Sequence, residues 1–293
     1  MRLTVHQNLH AVFYAPFYVA VECGFFGAQD LEVTITTGVV PIGSNMVAGR
    51  EPDLLFGGPI RAFVQHAENP ESDLQFIAEV VRRDPFMLIG RKANETFRLA
   101  DLADLSGKRV GLFSLVETPA LCLTWDLLQH GVGREAIARF AKPTIEEAIH
   151  GLRGDRFDVI QVPEPYASDL IMAGEGHLWH AAARRGPTSY SGILARKHRL
   201  NGAPGLIVQI NEALAQGCRY VLDNPGEKPA GLIARHFPTV REDVLATAID
   251  RYSDLGIWAP SADVSSEGLE ALHRILFDLG ILTRTTTQAQ IVL

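Results

Sequence analysis

The sequence predicts an α/β protein with mainly parallel sheets, organised in two lobes. Segments typical of strands and of helices alternate along most of the chain, which is the pattern of parallel strands joined by helices. The chain has 293 residues, more than one hydrophobic core usually serves, and this length favours two lobes. From Pro204 onward the strand pattern stops, so we expect a helical C-terminal tail.

The predicted elements fall into three series. In the first, strands are expected at residues 3–5, 31–35, 53–56, 74–81 and 86–91, with helices at 11–23, 44–49 and 60–66. In the second, a short helix and a glycine turn within residues 99–111 lead to strands at 109–113, 157–162 and 191–196 and helices at 119–130, 144–152 and 166–172. Thr118, directly before Pro119, is expected to cap its helix. The tail carries helices at 204–223, 227–237, 241–254 and 265–279.

The composition excludes several classes of protein. A formal net charge of -7 is unfavourable for binding nucleic acid, because phosphates require a basic face. No run of about 18 apolar residues is long enough to span a membrane. The sequence contains no Walker loop, nucleophile elbow or H-E-x-x-H pattern, so we expect no cofactor.

Neither the histidines nor the cysteines predict a metal site or a disulfide. His177 and His180 are three residues apart, but no carboxylate or thiol accompanies them at ligand spacing, and we expect them at the surface. Cys23, Cys122 and Cys218 are widely spaced and lie in apolar helical segments, which is typical of inert core cysteines. Cys23 borders the first loop and helix, which makes it the candidate for reactivity.

The amino terminus shows no secretory signal, because Arg2 is followed directly by strand residues. The protein as written is therefore expected in the cytoplasm, and in the periplasm if a leader has been removed.

Several segments, in order, resemble one family. They are Pro16-Phe17-Tyr18-Val19-Ala20 with Gly24-Phe25-Phe26 and Leu31-Glu32-Val33, then Asp53-Leu54-Leu55-Phe56-Gly57-Gly58, then residues 102–111, and finally Phe157-Asp158-Val159 with Glu164-Pro165-Tyr166-Ala167. Together they resemble the type II solute-binding proteins, in particular the SsuA-like group for aliphatic sulfonates, nitrate, taurine and thiamine-pyrimidine precursors. No single motif is diagnostic, but the ordered set covers most of the chain.

The resemblance implies a two-lobed type II periplasmic-binding-protein fold. Lobe one would comprise residues 1–90 and 192–293, and lobe two residues 91–191. The strands at 86–91 and 191–196 would cross between the lobes as a hinge. The implied function is to bind a small organic solute in the cleft between the lobes, as the substrate-binding component of an ABC-type importer whose permease would be a partner.

Loops at the carboxyl ends of strands supply the candidate ligand contacts in lobe one. Asn8 and His10 follow the first strand, and His10 is either a hydrogen-bonding group for the ligand or a solvent-facing histidine. Gly57 and Gly58 let backbone amides approach a ligand closely. Arg61 supplies either a fixed positive charge or a surface salt bridge.

In lobe two the candidates are hydroxyls and carboxylates. Ser114, Glu117 and Thr118 lie where a strand meets a helix, a place suited to an oxyanion, although Glu117 would favour a neutral or cationic ligand. Glu164 either accepts from an amine of the ligand or bonds backbone amides. Tyr190, with Phe13, Tyr14 and Phe86, either stacks on a planar ligand or belongs to the core.

Two alternatives to transport remain open. A cytoplasmic enzyme of decarboxylase, desulfinase or lyase type would use His10, Glu117 and Glu164 as acid-base groups, and a cytosolic sensor would present its liganded form to a partner. Two enzymatic relatives of the family are disfavoured. Arg61 and Tyr190-Ser191-Gly192 stand where a thiamine-pyrimidine synthase would have its histidine and its cysteine-rich run. Residues 8–10 contain no cysteine where a sulfinate desulfinase would have its nucleophile.

Overall fold

The chain forms two compact units in a computed structural model. The structure describes residues 1–41, 43–44, 51–92, 102–283 and 286–292. The first unit comprises Met1–Asp84 and Arg185–Leu293, and the second comprises Pro85–Arg184. The chain therefore passes between the units a few residues earlier than expected at each crossing.

The described residues form nine strands and twelve α-helices, with short 3-10 turns between some of them. The strands are β1 (Arg2–Gln7), β2 (Glu32–Thr37), β3 (Leu54–Gly57), β4 (Leu74–Val81), β5 (Met87–Gly90), β6 (Val110–Gly111), β7 (Val159–Val162), β8 (His177–Ala181) and β9 (Ser191–Arg196). The helices are α1 (Ala15–Glu22), α2 (Ile60–Glu68), α3 (Thr118–Gln129), α4 (Arg134–Ile137), α5 (Ile145–Arg153), α6 (Tyr166–Met172), α7 (Lys197–Asn201), α8 (Leu206–Asp223), α9 (Glu227–Ile233), α10 (Glu242–Asp254), α11 (Ser266–Asp278) and α12 (Gln288–Ile291). In the described part of the chain, no helix combines the length and the apolar character that crossing a bilayer requires.

The sheet of the first unit has the strand order β2-β1-β3-β9-β4. β1 pairs in parallel with β2 and β3, while β9 is antiparallel to both β3 and β4. The chain leaves this unit after the carboxyl end of β4 and returns at the same edge, where Ser191 pairs with Val81. A strand that begins at the edge where β4 ends must run antiparallel to β4, which explains the direction of β9.

The sheet of the second unit has the order β6-β7-β5-β8, and only β6 and β7 are parallel. The predicted α/β class is confirmed. The described sheets are mixed, however, because β5, β8 and β9 all have antiparallel neighbours. The two strands expected to form a hinge each belong to one sheet, β5 to the second and β9 to the first.

The helical tail packs into the first unit. α8 lies against α1 so closely that a Cβ atom on Gly217 would be 2.1 Å from the Pro16 carbonyl oxygen. Trp258, between α10 and α11, forms a bridge with Val81 of β4, and its indole Nε1 donates to the Phe13 carbonyl at 2.9 Å. The tail therefore covers one end of β4.

The predicted strands at 74–81 and 191–196 and the predicted helix at 166–172 have the expected bounds. The predicted helix at 11–23 begins instead with a 3-10 turn, Val12–Tyr14. The strand expected at 109–113 is only two residues long. The helix expected at 44–49 lies mostly outside the described residues. Of the segment 99–111, in which a short helix was expected, residues 99–101 lie outside the described residues, and a 3-10 turn forms at Leu102–Leu105.

Two local predictions were wrong. Thr118 is the first residue of α3 and not its cap; Glu117 holds that position, and its side chain makes no capping hydrogen bond. His180 is buried in β8, a strand that its short polar and aromatic sequence did not reveal. Pairing of β8 with β5 places the imidazole inside the second unit, away from the expected surface position.

Candidate functional site

One edge of the first sheet collects most of the residues predicted for lobe one. β1, β2, β3 and β4 all end at this edge, and β9 begins there, since Gly57 pairs with Gly192. Asn8, Gly57 and Gly58 lie at the ends of these strands or in the loops that follow them, and Tyr190 directly precedes β9. Ligands of open α/β sheets bind at such carboxyl ends. This edge is the candidate site of the first unit.

Gln7, the last residue of β1, organises the loop that contains His10. Its side chain is buried and accepts a hydrogen bond from the Tyr18 hydroxyl at 2.8 Å. Its amide nitrogen lies 2.9 Å from Thr37 Oγ1 and 3.1 Å from His10 Nδ1. An amide nitrogen only donates, so Nδ1 of a neutral His10 is the acceptor and Nε2 carries the proton. Gln7 thus fixes the tautomer of His10.

His10 lies in a group of rings, although part of its surface remains exposed. Its imidazole stacks on Tyr18 at a centroid distance of 5.0 Å and meets the edge of Phe237 at 4.8 Å. The His236 ring stacks 5.9 Å from it. Burial lowers the pKa of His10, and the charge on His236 lowers it further, against a smaller opposing contribution from the His236 backbone. These contacts favour the neutral imidazole at pH 7.

His236 belongs to the tail and is held by a carboxylate on α1. Glu22 Oε1 lies 2.6 Å from His236 Nε2 and 2.5 Å from Arg235 Nη2. The ring of His236 also stacks on Tyr18 at 4.7 Å. The tail therefore closes one side of the His10 loop.

Arg61 holds a loop in place. Its residue is buried, and its guanidinium donates to the backbone carbonyls of Val40 at 2.9 Å, Pro41 at 2.6 Å and Ser44. Burial lowers its pKa to about 10, a value that leaves it protonated at neutral pH. The charge thus lies under the loop that follows β2.

Asn8 reaches the same loop, because its Nδ2 lies 3.4 Å from the Val40 carbonyl oxygen.

Tyr14 and Ser191 are polar groups at this edge that the sequence did not single out for hydrogen bonding. Both residues are buried, and the Tyr14 ring packs edge-on against Phe56 at 4.2 Å. Burial raises the pKa of Tyr14 to about 12, while the neighbouring Ser191 hydroxyl and the charge of Arg61 oppose the shift. The neighbourhood joins residues far apart in the sequence, and only the pairing of β9 beside β3 reveals it.

In the second unit, two predicted residues line a cavity of about 380 Å³ beside α3. They are Ser114 and Glu117, together with Lys142 and the apolar side chains of Leu112 and Phe140. The Ser114 hydroxyl donates to the Pro143 carbonyl at 2.7 Å. Thr118 lies in the first turn of α3 and is not among the residues that line this cavity.

Glu164 is buried and binds the start of α6. Its Oε2 accepts from the Ser168 amide at 2.8 Å, and its Oε1 accepts from the Ser168 hydroxyl at 2.9 Å. This is the contact expected of a carboxylate at a helix amino terminus. Of the two roles considered for Glu164, the geometry favours the structural one.

Among the other aromatic candidates, Phe13 and Phe86 are buried, and Phe86 contacts Phe113 at 4.7 Å.

The cysteines of the chain are free, and two of them have raised pKa values. Cys122 and Cys218 are buried, and Cys23 is partly exposed at the end of α1. Burial raises the pKa of Cys23, as does the charge of Glu22, and burial raises that of Cys218 to about 12. A raised pKa disfavours the thiolate, which is the nucleophilic form. No group of three or more His, Cys, Asp or Glu side chains within the described ranges is placed to hold a metal ion.

Comparison with known proteins places these features in context. A family model described as "NMT1/THI5 like" matches residues 12–228. A protein of Bacillus subtilis (strain 168) with the name "Putative binding protein YtlA" is 22% identical over 295 residues, covering 99% of this chain and 87% of its own.

Two solved structures illustrate the range of proteins that share the fold. The periplasmic aliphatic sulphonate binding protein SsuA from Escherichia coli superposes with a TM-score of 0.76 at 16% identity, covering 99% of this chain and 97% of its own. The desulfurization enzyme DSZB superposes with a TM-score of 0.64 at 13% identity, covering 99% of this chain and 96% of its own. At these identities the likeness establishes a type II periplasmic-binding-protein fold, and the same fold occurs in a binding protein and in an enzyme.

Proposed function

Because the chain belongs to the NMT1/THI5-like family, we propose that it binds a small organic solute and delivers it to an ABC-type importer. The observation that carries the proposal is the carboxyl edge of the first sheet, which brings together Asn8, His10, Gly57–Gly58, Tyr14 and Ser191. These groups offer hydrogen bonds from uncharged donors and acceptors. A small number of such polar groups fixes the orientation of a bound ligand.

The ligand of this proposal is neutral or cationic. The Arg61 guanidinium donates to backbone carbonyls of the loop that follows β2, and the neighbours of His10 favour its neutral form. Because both groups are engaged in this way, the anionic SsuA-like ligand class is the less favoured one here.

Native mass spectrometry of the purified protein tests the ligand class. A co-purified neutral or cationic compound supports the proposal, while recovery of an alkanesulfonate overturns the assignment of the ligand's charge. Calorimetric titration with the recovered compound then measures its affinity. His10→Ala should weaken binding about tenfold, the effect of losing roughly one good hydrogen bond. His150→Ala, a change at an exposed position on α5, provides the matched control.

The role in import has its own test. Deletion of the gene should abolish uptake of the radiolabelled ligand, and the wild-type gene should restore it. If uptake continues unchanged in the deletion strain, the proposed role in transport is wrong, whereas the proposal that the protein binds a solute is not affected.

A second candidate, a cytoplasmic enzyme on the same fold, is favoured by the likeness to the desulfurization enzyme. Cysteine is absent from residues 8–10, and the raised pKa of Cys23 argues against nucleophilic sulfur chemistry. Incubation with biphenyl-2-sulfinic acid, the compound in complex with a DSZB mutant in another solved structure, separates the candidates. Release of sulfite would favour the enzyme.

A further inference from the structure

The second unit has a basic pocket that the proposed solute site does not use. It has a volume of about 370 Å³, within the range of small-molecule sites. Its lining includes four cationic residues, Lys108, Arg109, Arg139 and Arg156, and no acidic residue. In a chain of net charge -7, this pocket is a local region of positive charge.

The four cations come from three separate segments that the fold brings together. Lys108 and Arg109 precede β6, and Arg156 precedes β7, which pairs with β6. Arg139 precedes Ala141, whose amide donates to the Val110 carbonyl at 2.9 Å. The backbone pairing along β6 therefore fixes the relative positions of all three segments.

Arg109 is already neutralised by carboxylates. Its guanidinium binds Asp158 Oδ1 and Asp155 Oδ1, each at 2.7 Å. Among the described residues, Lys108, Arg139 and Arg156 have no ion-pair partner, although the charge of Lys108 acts on Asp158 at longer range. Arg156 instead lies over the Phe157 ring, 5.1 Å from its centroid. Three positive charges thus remain available at the pocket.

We propose that this pocket binds a small phosphate-bearing anion, held by Lys108, Arg139 and Arg156. Phosphate groups carry up to about two negative charges and present several acceptor oxygens, which match ammonium and guanidinium donors. The wall contributed by Val110, Phe140 and Phe157 is apolar, so it accommodates the organic part of a phosphate ester. The site lies within the second unit alone and does not depend on the proposed solute site.

Calorimetric titration with inorganic pyrophosphate at low ionic strength tests this proposal. Saturable binding is expected, and the double variant Lys108→Gln/Arg139→Gln should weaken it at least about tenfold, because two charge-assisted contacts are lost. Arg134→Gln, at the start of α4 and outside the pocket lining, should leave binding within about twofold. Binding should also weaken in about 1 M sodium chloride, where the Debye length falls to about 3 Å and exposed charges are screened.

Three outcomes would overturn the proposal. They are the absence of saturable pyrophosphate binding, equal binding by the double variant, and binding only to phosphatidylglycerol vesicles or to polyglutamate, which would indicate a membrane or a protein partner. The variant His10→Ala separates this site from the solute site, because pyrophosphate binding should not change in it. Circular dichroism should show that the exposed substitutions leave the fold intact.

Discussion

Asp84 and Arg185 form an ion pair where the chain leaves the first unit and where it returns. Arg185 Nη2 lies 3.2 Å from Asp84 Oδ2, and the Asp84 side chain is fully buried. The two residues are neighbours in space but 101 positions apart in the sequence. The pair thus joins the two segments that build the first unit.

Asp84→Ala should destabilise the protein strongly, because it leaves the largely buried Arg185 without this carboxylate. Removing one partner of a buried pair costs about 3–5 kcal/mol of unfolding free energy. Urea denaturation followed by circular dichroism measures the change. Glu212→Gln, which breaks the exposed pair with Arg219, should cost less than about 1 kcal/mol. Equal losses of unfolding free energy in the two variants would show that the buried Asp84–Arg185 pair contributes no more to stability than the exposed Glu212–Arg219 pair.

Protonation of His10 should destabilise the fold as the pH falls. The folded-state pKa of His10 lies below its unfolded value of 6.5, first because of burial and then because of His236. At pH values between the folded-state and the unfolded-state pKa, the unfolded chain therefore binds more protons than the folded protein. The contribution of His10 to the unfolding free energy is thus complete above pH 6.5 and decreases as the pH falls below it.

Unfolding free energies measured at several pH values between about 7 and 5 would show this dependence. His10→Gln should reduce the decline, whereas His150→Gln should not. An unchanged pH profile in His10→Gln would contradict the assignment.

Gly217→Ala should destabilise the contact between α8 and α1. The added Cβ atom would lie 2.1 Å from the Pro16 carbonyl oxygen and 3.1 Å from the Ala20 Cβ atom. Overpacking of this kind costs about 1–3 kcal/mol of unfolding free energy. Replacing glycine by alanine also raises helix propensity, but this gain is smaller than the cost of overpacking. The melting temperature should decrease accordingly. Gly202→Ala, at a position where an added Cβ has no atom within 4 Å, is the control and should melt as the wild type does.

Cys23 should react with a maleimide more slowly than a free thiol. Its pKa is raised by burial and by Glu22, so less thiolate is present at pH 7. Cys122 and Cys218 are buried and should react only after unfolding. Mass spectrometry of the intact protein follows the three additions over time. Rapid labelling of Cys23 at pH 7 would show that its thiol is activated.

The sequence predicts the α/β class and most element positions because hydrophobic periodicity is local. The bounds of β4, α6 and β9 follow directly from their apolar runs and turns. The strand β8 escapes prediction, since His177 and His180 interrupt its apolar character and only pairing with β5 makes it a strand. The directions of the strands within the sheets cannot be predicted from the local sequence either. β9 runs antiparallel to β3 and β4 because the chain returns to the first unit at the edge where β4 ends.

The site residues show the same division. The loops after strands could be predicted, as Asn8, His10 and Gly58 illustrate. The partners of these residues could not, because Gln7 meets Thr37 and His10 meets His236 only through the tertiary fold. The burial of Arg61 beneath a loop likewise depends on carbonyl groups whose positions no local pattern reveals.

The position of β9 between β3 and β4 has a consequence for synthesis on the ribosome. Residues 1–84 leave the exit tunnel with a gap in their sheet that only residues 191–196 fill. The second unit is one continuous segment, Pro85–Arg184, and its whole sequence has been translated before β9 emerges. Because domains generally fold as units during translation, the nascent chain is expected to complete its middle segment first and its amino-terminal segment last.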